Sequence, residues 1–211
     1  MHSPPLPRQN RHLITLPCFE LEVKAARKTI CTSRSFGERL TTIEPITEAV
    51  ANFAASCGEK LRSEHSLAAS VMVFLHTNPF AENQPQYYNQ TLMQLPAPTN
   101  DSTELINYAV KGLRKIFASG YRYKKAGVII TEIVPERPLQ ITLFDERNRE
   151  KFGKVMMVMD KLNATYGNRK IRIATQGFGR KWKLKNEKLS PCYTTNLNDI
   201  IVINVNDKVP F

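Results

Sequence analysis

Asp101 to Gly120 reads DSTELINYAVKGLRKIFASG. Asp101 and Glu104 stand at capping-box spacing, with Asp in place of the usual Ser or Thr, so a helix should begin there. Leu105, Ile106, Ala109, Val110, Leu113, Ile116 and Phe117 recur at helical period and give it one apolar stripe, and Gly120 is placed to end it. A helix with a single apolar stripe has to lie on something. The flanking segments supply a sheet: Ala126 to Ile133, AGVIITEI, reads as a strand downstream. Upstream, Tyr87 to Leu95 reads as a strand that stops before PAPT, and Leu67 to Thr77, LAASVMVFLHT, as another that stops at Asn78-Pro79.

Further upstream the pattern repeats. Pro45 suits the first turn of a helix in which Ala49, Phe53, Cys57 and Leu61 recur every four residues beside Val50 and Ala54. Glu48, Glu59, Lys60 and Arg62 fall on the opposite, solvated face. Thr29 to Ser35, TICTSRS, reads as a first strand closed at Gly37. The order is strand, helix, strand, strand, helix, strand, which is the split βαβ (ferredoxin-like) arrangement of an α+β domain. Two helices should cover one face of a four-stranded sheet and leave the other face open. An open face is a place to bind, but such sheets host many functions and the fold does not name one.

Past Pro138 the character changes. Phe152, Val155, Met156, Met159 and Leu162 mark a third amphipathic helix ending near Gly167, followed by a short strand, KIRIAT, and a basic loop, GFGRKWKLKNEK. LNDIIVINVND suits a terminal strand. Between Lys151 and Ser190 there are 11 Lys or Arg against only Asp160 and Glu187. The expected organisation is an N-terminal segment 1–15, the sheet domain 16–135, a linker 136–150, and a small α+β module 151–211.

With 211 residues, 42% of them apolar and 23% charged, the chain is of ordinary globular composition. It has no apolar run of transmembrane length, which gives no expectation of membrane association. Met1 to Arg11 lacks the apolar stretch of a secretory signal, so a cytoplasmic location is expected. A net charge of +11 favours polyanionic partners, nucleic acid first. Cys18, Cys31, Cys57 and Cys192 form no Cys-x-x-Cys pair, which argues against zinc and redox motifs and for reduced, mostly buried thiols. Neither a metal site nor a cofactor is expected in this chain. Asp145-Glu146 reads as a solvated loop rather than a metal-binding pair. His2, His12, His65 and His76 lack any Ser or Cys context that would mark a nucleophile and its base, and read as surface or helix-end histidines.

Six strings carry a resemblance: SRSFGER at Ser33 to Arg39, EKLRSEH at Glu59 to His65, TNPF at Thr77 to Phe80, YRYKKAGV at Tyr121 to Val128, MDKLNATYG at Met159 to Gly167, and KLSPCYTT at Lys188 to Thr195. In their order and spacing, from about Leu16 to Val202, they resemble the C-terminal part of the UmuC subunit of bacterial DNA polymerase V, a Y-family translesion polymerase. The resemblance implies that 16–135 is a little finger domain that grips the template-primer duplex, and that 151–211 is a C-terminal module specific to UmuC-like proteins. It also implies DNA, the beta sliding clamp, a UmuD-like protein and RecA as partners, within error-prone synthesis past lesions in the SOS response.

Catalysis is not expected of these residues by themselves. In that family the palm, with the carboxylates that hold Mg²⁺ for two-metal phosphoryl transfer, precedes the little finger. Here only fifteen residues stand ahead of Leu16, and Met1 to Gln9 does not resemble the family. Three functions stay open: a non-catalytic binder of DNA and clamp, part of a complete polymerase whose true start lies upstream, or an assembly module for a UmuD-like protein.

Arg34 lies between Ser33 and Ser35, where a guanidinium flanked by hydroxyls can pair with a phosphate. Its position alone reads as a solvent-facing strand arginine; the resemblance implies a DNA contact, with Arg39, Lys124 and Lys125 as similar candidates. Gln140, Ile141, Thr142, Leu143 and Phe144 form Gln-x-x-Leu-Phe, similar to the sliding-clamp peptide of bacterial polymerases. There Leu143 and Phe144 would enter an apolar cleft while Gln140 bonds at its edge; the alternative is that both pack under the C-terminal module. Arg180, Lys181, Trp182, Lys183 and Lys185 set an aromatic among cations, either to touch DNA or a protein partner, or with Trp182 as a core anchor.

Overall fold

The computed structural model describes residues 27–136, 147–167, 169–178, 182–184 and 189–200. Strand β1 (Ile30–Leu40) leads to helix α1 (Ile43–Ser63), strands β2 (Ser66–Thr77) and β3 (Tyr88–Thr99), helix α2 (Ser102–Ile116) and strand β4 (Tyr123–Pro135). The sheet order is β1-β4-β2-β3, with every neighbouring pair antiparallel. β4 therefore lies between β1 and β2, and β2 between β3 and β4, so both βαβ units are split. This is the α+β arrangement expected, with both helices on one face of the sheet.

The reason is visible in the alternation of β2 and β4. Val71, Val73 and Leu75 on β2, and Ala126, Val128 and Ile130 on β4, are fully buried. They meet Ala49, Val50, Phe53, Cys57 and Leu61 of α1 and Leu105, Ala109 and Leu113 of α2 in one core. Asp101 caps α2, its carboxylate accepting from the Thr103 N–H at 2.8 Å. The other half of the capping box is not made: Glu104 pairs instead with Arg149, at 3.3 Å. α2 ends at Ile116, ahead of Gly120, whose φ of +91° serves the turn into β4. Tyr123 fixes that turn, its hydroxyl accepting from Ala118 N–H at 3.0 Å and donating to Ala118 C=O at 2.7 Å.

Two strand limits differ from expectation. β3 continues through PAPT to Thr99, because it is an edge strand and the prolines need no ladder donor on their open side. β1 runs through Gly37 to Leu40 with an irregularity after Ser35. Gly37 is needed for close approach rather than for a turn. A Cβ there would lie 2.5 Å from the carbonyl oxygen of Lys183, and the Gly37 N–H donates to Trp182 C=O at 3.3 Å.

Helix α3 (Arg149–Tyr166) is present as expected, but its apolar stripe is poorly covered. Met156 is buried; Phe152, Met159 and Leu162 are half-buried, and Val155 is exposed. Polar side chains hold it instead. Arg62 of α1 makes a two-pronged pair with Asp160, at 2.6 and 2.8 Å, while its Nη1 donates to Asn100 C=O and Ser102 Oγ. Arg147 pairs with Asp101, completing a second tie to the start of α2.

KIRIAT is not a strand. Its backbone groups are satisfied by side chains: Ile171 exchanges bonds with the Asn163 carboxamide at 2.9 and 3.0 Å, and Ile173 N–H donates to Gln176 Oε1 at 2.9 Å. Its last two residues open a 3-10 turn, Ala174–Gln176. Leu197–Asp199 is another, where a terminal strand was expected to begin; residues 201–211 lie outside the described residues.

The segment after α3 lies over α1. Asn52, itself buried, donates to Gln176 C=O at 2.7 Å and accepts from Gln176 Nε2 at 3.4 Å. Trp182 is 4% exposed and meets Phe53 edge-on, with ring centroids 5.4 Å apart. It belongs to the same core as the sheet and its two helices. Removing a buried aromatic of this size costs ~3 to 5 kcal/mol. Trp182→Ala should therefore lower the unfolding free energy, obtained from urea titration followed by far-UV circular dichroism, by that amount and move the midpoint down with it. An unchanged midpoint would mean that the segment does not contribute to the core.

Candidate nucleic-acid interface

Strand register places the residues that alternate with the core positions into four rows across the uncovered face. Ser35, Lys125, His76 and Tyr88 form one; Ser33, Gly127, Phe74 and Gln90 the next. Cys31, Ile129, Met72 and Leu92 form the third, and Thr131, Ser70 and Gln94 the fourth. None of these residues is acidic. Ser70 and Thr131 share a hydroxyl bond of 2.6 Å across the strands. Phe74 stacks with His76 at 6.2 Å, and His76 meets Tyr88 at the same separation. Phe74 lies over Gly127, where a Cβ would come within 2.4 Å of its ring and 2.6 Å of Ser33 Cβ. The face thus offers hydroxyls, carboxamides, an aromatic ridge and one ammonium, with no like charge to repel a phosphate.

The six residues expected to grip DNA do not share this face. Ser33, Ser35 and Lys125 lie on it. Arg34 is in register with buried Ala126 and lines a groove with Lys60 of α1, so its side chain is on the helix side of β1. Lys124 Nζ donates to Phe36 C=O at 2.9 Å, bracing the irregular part of β1. Arg39 is exposed near the strand end. Gln140, Leu143 and Phe144 lie outside the described residues, as do Arg180, Lys181 and Lys185. Lys183 is exposed, and buried Trp182 has no ring face available to stack on a base.

Phe74, His76, Tyr88, Ser70 and Thr131 went unread as site residues. The signal was there: in VMVFLHT the residues that alternate with Val71, Val73 and Leu75 belong to the opposite face. His76 points its Nδ1 at Thr77 C=O, 2.7 Å away, and His65 sits exposed at φ +47° beyond α1. The expectation of mostly buried thiols fails for Cys31 and Cys192, which are exposed; Cys57 is buried. Cys31 belongs to the open-face row of an edge strand, whereas Cys57 occupies the covered face of α1. Burial pushes the Cys57 thiol up to about 11, outweighing its bond to Thr32 and the nearby Lys60. Among the described residues no three His, Cys, Asp or Glu side chains gather where they would hold a metal ion.

Residues 27–143 match the impB/mucB/samB family C-terminal domain, and residues 153–203 match a domain of unknown function, DUF4113. The chain is 43% identical over 198 residues to Protein UmuC of Salmonella typhimurium strain LT2, covering 93% of this chain and 47% of that protein. It is 40% identical over 197 residues to Protein ImpB of Salmonella typhimurium, covering 92% and 46%. Against Protein MucB of Escherichia coli the identity is 33% over 202 residues, covering 95% and 47%. The chain spans about half the length of the curated relatives it matches.

Two outcomes follow from this geometry. Gly127→Val must displace Phe74 and Ser33, an overpacking that costs ~1 to 3 kcal/mol; an unchanged urea midpoint would refute the placement of Phe74. The neutral Cys57 thiol is favoured in the folded state, so its contribution to stability is complete below its ordinary value of about 9 and is lost as pH rises towards about 11. At pH 8, iodoacetamide should modify Cys31 and Cys192 long before Cys57, read by peptide mass spectrometry. Equal rates would contradict the burial of Cys57.

Proposed function

Because the chain belongs to the impB/mucB/samB family of UmuC-type, Y-family translesion DNA polymerases, we propose that it grips DNA without regard to sequence and holds the beta sliding clamp. The observation that carries the DNA part is the acid-free open face, with Lys125, Ser33 and Ser35 beside the Phe74, His76 and Tyr88 ridge. Hydroxyls and one cation position phosphates but read no base edges, which suits a protein that must accept any template. Clamp binding is assigned to Gln140, Leu143 and Phe144, on their Gln-x-x-Leu-Phe spacing. In this role the residues bind and position; nucleotidyl transfer with Mg²⁺ belongs to the palm, which the family places ahead of them.

A second function is favoured by a separate observation. α3 presents Val155, Met157 and Val158 to solvent, with Met157 69% exposed. Such an apolar row on a basic segment supports an assembly surface for a UmuD-like protein. RecA is a partner on family grounds, with no residue assigned to it. No helix among the described residues is long and apolar enough to cross a membrane. Work on chromosomal DNA would place the protein in the cytoplasm.

Binding to a fluorescein-labelled primer-template, followed by anisotropy, should weaken linearly in log–log terms as salt rises. Lys125→Glu with Ser33→Asp should raise Kd at least tenfold and leave clamp binding intact. Leu143→Ala with Phe144→Ala should abolish clamp binding and spare DNA affinity. Affinity indifferent to salt would sink the phosphate grip, and clamp binding that survives the double alanine variant would sink the motif.

A further inference from the structure

The helix side of β1 carries a second feature, separate from the open face. Arg34 of β1, Lys60 of α1, and Arg169 and Lys183 of the segment after α3 line one open groove of about 800 Å³. Four cations from three distant stretches of sequence meet there, against the single carboxylate of Glu59. Hydroxyls are placed among them: Lys60 Nζ donates to Thr32 Oγ1 at 3.3 Å, and Arg169 Nη2 to Ser56 Oγ at 2.5 Å. Trp182 lines the same groove, and its indole N–H is buried with no acceptor.

We propose that this groove binds the phosphodiester backbone of a single nucleic-acid strand. Its four cations are donors only, and the hydroxyls of Thr32, Ser35, Ser56 and Ser63 among them can donate as well as accept. A phosphodiester presents acceptors only and meets that lining fully. A positively charged groove that tracks the backbone is how single strands are held without sequence preference. With Trp182 packed against Phe53, base stacking adds nothing, and the binding is electrostatic.

The groove exists only because the chain returns after α3. Asn52 with Gln176, Phe53 with Trp182, and Gly37 under Lys183 bring the basic segment beside α1 and β1. β1 then separates two anion-binding surfaces, Ser33 and Ser35 facing the open sheet and Arg34 facing the groove. A duplex on one side and a strand on the other would share this one edge strand. The proposal rests on the DNA-binding reading for the class of polyanion, and of the residues that carry that reading the groove shares only Ser35.

The test is anisotropy of the full chain with fluorescein-labelled oligothymidylate and, separately, a labelled duplex of equal length. Lys60→Glu with Lys183→Glu should weaken oligothymidylate binding at least tenfold and lower its log–log salt slope by ~1.4, about 0.7 for each lost phosphate contact. Duplex binding should stay within twofold, whereas Lys125→Glu should do the reverse. The single Trp gives a second readout: oligothymidylate should change its emission saturably in the wild type, and each free variant should keep the wild-type emission if folded. Oligothymidylate affinity unmoved by the double reversal overturns the proposal. Duplex binding without oligothymidylate binding also overturns it while leaving the sheet-face grip standing; binding of neither removes both. Polyglutamate bound more tightly than oligothymidylate, through Lys60 and Lys183, would replace the nucleic acid with an acidic protein.

Discussion

The pairing of β4 with both β1 and β2 is the contact on which the remaining structure depends. β4 arrives last in the sheet and fills the gap between two parallel strands, so the ladder closes only when the chain has run through both helices. Its alternation then settles the rest. Ala126, Val128 and Ile130 face α1 and α2, which directs Lys125, Gly127 and Ile129 to the bare side. A one-residue slip would exchange the two sets and put Lys125 in the core. The position of the open face is thus a consequence of core packing.

The same rule divides the charges of β1. Ser33, Arg34 and Ser35 are consecutive, and a strand sends neighbours to opposite faces. The serines join the open sheet, and the guanidinium goes to the groove under the returning segment. A sequence motif that reads as one cluster is therefore divided between the two sides of the sheet. What unites them is the strand's position at the sheet edge, where both sides of the backbone are near solvent.

The regular part of the fold was legible because its signals are local. The stripes of α1 and α2 and the order of six elements follow from periodicity, and all are found. The misread places involve information that is not local. PAPT stays in β3 because β3 is an edge strand; Gly37 is small because Lys183, far along the chain, passes over it. KIRIAT alternates like a strand, yet Asn163 and Gln176 take the backbone groups that a ladder would need. The stripe of α3 was legible as apolar, but its burial depended on a partner surface, and among the described residues Met156 alone of that stripe is buried. Of the candidate site, the charged residues were legible and their grouping was not. The aromatic ridge was missed because it was counted as strand interior.

Composition changes near Pro138, which invites a boundary between a sheet domain and a separate basic module. Packing does not respect that boundary. Trp182 completes the core against Phe53, Arg62 reaches from α1 to Asp160 on α3, and Arg149 returns to Glu104 on α2. A basic segment with so few acids has little means of holding its own shape, since its cations repel one another. Docking on α1 and β1 resolves this: the aromatic is buried, Asp160 and Glu104 offset two guanidinium groups, and Arg169 and Lys183 stand beside Arg34 and Lys60 at the groove. Cations held in place by packing spare a polyanion the cost of ordering long side chains at the moment of binding.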